Sequence, residues 1–131
     1  MYNYNTPDFQ NTPLYRKAAE ILVLSRNISQ YVQEDLSALK LDGREDSNIY
    51  FSGDIIYQSE SLAPQIAKAE LEKYSDNKYK HIASVKRLTN RLYRNCRRLE
   101  SCNSNGREYV SILRNELKKF KQLQYVWSLT L

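Results

Sequence analysis

Apolar residues recur at three- and four-residue steps along nearly the whole of this chain, and no window alternates at period two long enough to build a strand. That spacing lays one apolar stripe along one face of a helix, and a stripe of this kind must be covered by another packed element. With no strand pattern present, the cover has to be helical. Only three Gly and three Pro occur among 131 residues, too few for the many tight turns of a sheet protein. Hydrophobic residues reach 41%, enough to build a core and to exclude disorder throughout. The expected fold is therefore all-α: an antiparallel up-down-up-down four-helix bundle over residues 13–131, preceded by a polar tail over residues 1–12.

The individual helices follow from their faces and caps. Thr12-Pro13 reads as an N-cap followed by Pro in the first turn. Leu14, Ala18, Ile21, Leu22, Ser25, Ile28, Val32 and Leu36 then carry a first helix to about residue 38. The charged stretch 40–48, with Gly43, reads as a loop. A second helix starts near Ser47 or Asn48 with Phe51 or Ser52, Ile55, Ile56, Ser59, Leu62, Ile66 and Ala69 inward, and ends by Tyr74. Pro64 falls inside it and is expected to kink it, because it has no N–H for the Glu60 carbonyl. Ser75 is the expected N-cap of a third helix with Ile82, Val85, Thr89, Leu92, Cys96 and Leu99 as a heptad seam. After a turn at 103–106, a fourth helix points Val110, Leu113, Leu117, Phe120, Leu123 and Trp127 inward.

Several kinds of chemistry find no support in this residue set. There is a single histidine, His81, and no cluster supplies the three or four ligands of a zinc site. Cys96 and Cys102 lack the spacing of a redox or metal-binding pair and are expected as free thiols in a reducing cytoplasm, with Cys96 in the core. His81 and Cys96 lie about four turns apart on one helix, too far to cooperate. Gly43, Gly53 and Gly106 form no phosphate-cradling loop. Four-helix nucleases similar to the HEPN family carry an Arg four to six residues before a His; here those positions hold Asn77, Asp76 and Ser75. The longest aliphatic run, 21–24, is far short of the ~20 residues of a membrane span. Residues 1–12 lack the basic start and apolar stretch of a secretory signal, so a cytoplasmic location is expected. The expectation is a protein without enzymatic activity, cofactor or metal.

Charge supplies the strongest positive signal. The formal net charge is +5, yet residues 75–102 alone carry eight basic residues against Asp76 and Glu100, an excess larger than that of the whole chain. At 100° per residue, Lys80, Arg87, Arg91, Arg94 and Arg98 fall on one line, roughly opposite the seam of the third helix. Few carboxylates stand four residues away to neutralise them. Four are Arg, whose planar fork matches phosphate oxygens. The pattern points to a nucleic-acid partner, RNA or DNA; the competing readings are an ordinary solvated helix face and a stripe paired with acidic groups of another subunit or protein.

Eleven tyrosines are many for this length. Tyr15, Tyr57, Tyr79, Tyr93 and Tyr125 sit where they flank a core or a subunit contact, and stacking on bases is their other use. Ile49, Tyr50, Tyr57, Tyr109, Ile112 and Val126 exceed what one bundle core absorbs, which predicts a homo-oligomer.

Three segments taken in order carry a family resemblance. Residues 14–21 (LYRKAAEI) are similar to an aromatic-x-Lys-Ala opening of a first helix. Residues 61–69 (SLAPQIAKA) are similar to a Ser-Ile-Pro-x-Asn-Ile-Ala-Glu-Gly signature, with Pro displaced by one residue, Gln for Asn, and Lys68-Ala69 for Glu-Gly. Residues 75–79 (SDNKY) are similar to a Ser/Lys-rich connection followed by an aromatic. Together they resemble the four-helix-bundle proteins of bacterial 23S ribosomal RNA intervening sequences, relatives of the accessory proteins of diversity-generating retroelements. The resemblance implies a left-handed bundle assembled in a ring, often of five subunits, with a basic surface suited to nucleic acid, and brings no catalytic residue.

Overall fold

In a computed structural model the chain forms four helices of nearly equal length, and the structure describes residues 9–36, 43, 47–101 and 107–131. A 3-10 turn, Phe9–Asn11, leads into α1 (Pro13–Asp35), α2 (Ser47–Leu71), α3 (Ser75–Leu99) and α4 (Arg107–Thr130). Each helix packs on its neighbours in order, and α1 also packs on α4, which closes a square. This is the predicted four-helix bundle. Contacts along the edges fix the antiparallel order. Tyr31 near the end of α1 stacks on Tyr109 near the start of α4, Arg98 of α3 reaches back to Phe51 of α2, and Arg114 of α4 meets Glu100 at the end of α3.

All four helices obey one rule. The seam positions are 14, 18, 21, 25, 28 and 32 in α1, where Ser29 is buried beside them, and 52, 55, 59, 62, 66 and 69 in α2. In α3 they are 85, 89, 92, 96 and 99, and in α4 110, 113, 117, 120, 124 and 127. Each is an alternation of three- and four-residue steps, the a and d positions of a heptad, so knobs of one helix fill holes of the next. Burying a Leu or Ile in such a layer contributes on the order of 1.5–3 kcal/mol.

The heptad also corrects the reading of single faces. Ser52, not Phe51, enters the core, and Phe51, Ile49 and Ile56 are only partly buried. Gln124 takes the inward position expected for Leu123, because the step after Phe120 is four and the next, to Trp127, is three. Leu22 sits at the edge of α1, and Ser29 is buried instead. α1 stops at Asp35 rather than 38, with the Leu36 N–H donating to the Val32 carbonyl. Ser75 is already inside α3; Tyr74 is the N-cap, with no side-chain cap bond, and the Glu72 carboxylate accepts from the Lys73 and Tyr74 amides just ahead of the helix. α2 continues as helix past Pro64, and both Pro64 and Glu60, whose carbonyl the proline cannot serve, are exposed residues. Thr12 caps α1 as expected, accepting from the Tyr15 amide, with Pro13 in the first turn. Phe9 is buried edge-on against Tyr15, so packing begins ahead of Pro13. Of the loop expected at 40–48, Gly43 is described, at φ 79°, a left-handed conformation suited to glycine. The turn expected at 103–106 and Cys102 lie outside the described residues.

Several polar side chains in or beside the core are paired. Ser59 donates to the Ile55 carbonyl at 2.6 Å, and its oxygen lies 2.7 Å from that of Ser25. A hydroxyl has one hydrogen, so Ser25 is the donor of the pair. Thr89 donates to Val85, and Trp127 Nε1 donates to Glu70 at 2.8 Å, tying the ends of α4 and α2. On the α1–α4 edge Lys17 donates to Glu20 and Glu116, both at 2.7 Å. Bonding to Glu116, then to Glu20, raises the Lys17 pKa, and bonding to Lys17, then to Lys119, lowers that of Glu116.

The serine pair generates a prediction. Ser59→Ala leaves the Ser25 hydroxyl buried without an acceptor and should cost about 1–3 kcal/mol in urea unfolding. The double variant Ser25→Ala/Ser59→Ala should recover most of that loss. A double variant as unstable as the sum of the singles would mean that the pair is not coupled.

Candidate functional site

Heptad geometry decides where the basic stripe of α3 lies. Arg87 and Arg94 occupy f positions and Arg91 and Arg98 c positions, each two residues beyond a buried seam residue. All four are exposed, as is Lys80 one heptad before Arg87. Because the stripe has the same 3.5-residue period as the seam, it runs straight along the outside of α3.

The arginines line a groove between α3 and α2. One hollow of about 280 Å³ is bounded by Arg91, Arg94 and Arg98 with Phe51, Asp54 and Gln58. A second, of about 250 Å³, is bounded by Arg87 and Arg91 with Tyr57, Ser61 and Gln65. Arg91 belongs to both, so the two hollows adjoin at this residue and follow one another along the trough between the helices. Lys80 borders neither hollow and lies farther along the same line. Two side-chain bonds pin the helices together beneath it: Asn95 donates to Gln58 at 3.0 Å, and His81 Nδ1 donates to Gln65 Oε1 at 3.3 Å. Arg98 lies over the Phe51 ring with 4.8 Å between guanidinium carbon and centroid, and Arg87 donates to Ser84. No described carboxylate stands within ion-pair distance of Arg87, Arg91, Arg94 or Arg98, whereas Lys17, Arg26, Arg114 and Lys119 each have one. The guanidiniums are therefore presented outward.

The α2 wall was not legible in the sequence. Its members, Phe51, Asp54, Tyr57, Gln58, Ser61 and Gln65, are mostly polar with no pattern of their own, and they became a wall only through the register of α2 on α3. The one available signal was the f row of α2, where Tyr50 and Tyr57 stand a heptad apart at 64% and 70% exposure. Tyr79 and Tyr125 are likewise exposed, while Tyr15 and Tyr93 pack against the core.

The other candidate groups form no reactive set. Cys96 is fully buried; desolvation, then the charge of Glu100, pushes its thiol up to about 12, against a smaller opposing effect of Arg114. His81 is engaged with Gln65. No three His, Cys, Asp or Glu side chains come together among the described residues, and no described helix is long and apolar enough to cross a membrane. Comparison with family models, curated proteins and solved structures finds no match to this chain.

With so high a pKa, Cys96 stays a protonated thiol throughout the neutral and mildly alkaline range. In a Cys102→Ser variant, the folded protein should not react with a thiol reagent on the minutes scale, and denaturation should release one reactive thiol. Rapid labelling of the folded variant would mean that this core opens readily.

Proposed function

We propose that this protein is a non-enzymatic nucleic-acid-binding bundle whose α2–α3 groove receives phosphate groups on Arg87, Arg91, Arg94 and Arg98, with Lys80 extending the track. The observation that carries the reading is the outward, unpaired arginine row. Four like charges at steps of three and four residues repel one another, and no described carboxylate stands within ion-pair distance of them, although Asp54 borders the same hollow. A polyanion relieves that repulsion and takes advantage of the bidentate fork of Arg.

Assembly is part of the proposal. On the α1–α4 edge, across the square from the groove, Tyr31 and Tyr109 stack in parallel with centroids 5.1 Å apart. They border an open hollow of about 470 Å³ with Leu24, Ile28 and Ile112. Val23, Tyr31, Tyr109 and Ile112 are all more than 40% exposed, an apolar patch suited to a second copy of the chain. The resemblance to the intervening-sequence bundles implies the same combination, a basic bundle in a ring, and a pentamer is the assembly it favours. A location in the cytoplasm fits a nucleic-acid partner and the reduced state of Cys96.

The test replaces Arg87, Arg91 and Arg94 together by Gln, which keeps helix propensity and most of the aliphatic stem. Nucleic-acid affinity should fall, and the slope of log affinity against log salt should flatten by about two to three units. The melting temperature should hold or rise, and light scattering should give an unchanged mass above that of the 15.5 kDa monomer. Loss of mass or melting temperature would assign the arginines to acidic groups across a subunit contact. Unchanged affinity and slope would remove them from binding.

A further inference from the structure

We infer that the groove takes a single-stranded nucleic acid, its backbone along the arginines of α3 and its bases turned onto the tyrosines of α2. The inference rests on the phosphate-binding reading of the stripe and adds which form of nucleic acid fits.

The two ridges of the groove differ in chemistry. α3 presents charge, in steps of about 6, 4.5 and 6 Å from Arg87 to Arg98. α2 presents Tyr50 and Tyr57, about 10 Å apart on the same face and more than 60% exposed. Tyr57 borders the same hollow as Arg87 and Arg91. Exposed aromatic rings beside a line of cations match the two repeating parts of a single strand, a flat base and a phosphate.

A duplex fits this surface poorly. It carries a second row of phosphates across its groove, and a surface that holds both rows needs two lines of cations. The α2 wall of the trough contains no cation, and its one ionisable carboxylate, Asp54, repels a second backbone. In a duplex the base faces are also stacked on one another and closed to Tyr50 and Tyr57, whereas an unpaired strand leaves them open.

The experiment measures fluorescence anisotropy at one low salt concentration with four labelled probes of equal length. They are an oligothymidylate, an oligouridylate, a DNA duplex and an abasic deoxyribose-phosphate strand. At least one of the two base-bearing single strands should bind about tenfold or more tightly than both the duplex and the abasic strand. The Tyr50→Ala/Tyr57→Ala variant should lose about tenfold on that strand, while its salt slope, its affinity for the abasic strand and its melting temperature stay as they were. Tyr50→Phe/Tyr57→Phe should bind like the unaltered protein, since the ring rather than the hydroxyl stacks. Salt-dependent binding in which the duplex or the abasic strand equals both single strands would overturn this inference and leave the phosphate reading standing. Absence of salt-dependent binding to every probe would remove the phosphate reading and this inference with it.

Discussion

The shared heptad seam is the constraint on which everything else in this molecule depends. Four helices each bury residues at alternating steps of three and four, and the layers so formed close around Ile21, Ile55, Leu92, Leu117 and Phe120 without a charged group among them. A seam of this period pins the rotation of every helix about its own axis. Once Val85, Leu92 and Leu99 face inward, Arg87, Arg94 and Arg98 have no freedom to do anything but face solvent. A turn of α3 that hid the arginines would drive their charges into the core, at a desolvation cost far above any gain. The exposed stripe is thus held in place by hydrophobic packing on the opposite side of the helix.

The same constraint separates two surfaces of unlike character. The α2–α3 edge is cationic with an aromatic border, and the α1–α4 edge across the bundle carries an apolar patch around stacked Tyr31 and Tyr109 at one end and the Lys17–Glu116 ion pair farther along. Ion pairs are distributed accordingly. Lys17 with Glu20 and Glu116, and Arg26 with Glu60, lie on the edges that flank α1, while Arg114 is neutralised by Glu100 near the top of the α3–α4 edge. The arginines of the groove are left out of this pairing. On the proposed reading, the edge opposite the groove is free to meet other copies of the chain without covering the groove.

Residues whose role is set by periodicity alone were readable from the chain. The bundle, the number of helices, the inward Cys96 and the outward line of Lys80, Arg87, Arg91, Arg94 and Arg98 all follow from counting steps of three and four. Errors arose where hydrophobicity and register disagree. Leu123 is the more apolar of two neighbours, yet Gln124 holds the seam position; and between Phe51 and Ser52, which the sequence left open, the register selects the serine. Ser75 has the better capping side chain, yet the helix already includes it and Tyr74 holds the cap position. The α2 wall of the groove was illegible for a different reason. Tyr57, Gln58, Ser61 and Gln65 acquire meaning only from which residues of α3 stand opposite, and that alignment is a product of three-dimensional packing.

The central claim is that the α2–α3 groove is where nucleic acid binds. A heteronuclear NMR titration with a short single-stranded oligonucleotide tests it most directly, following backbone amides together with the Arg side-chain Nε–Hε signals. The account predicts that Arg87, Arg91, Arg94 and Arg98 shift progressively together with the amides of Tyr57 and Ser61, while those around Tyr31 and Tyr109 stay in place. Shifts centred on Lys118 and Lys121 of α4 or on the Tyr31–Tyr109 patch, with the arginine signals unmoved, would contradict it.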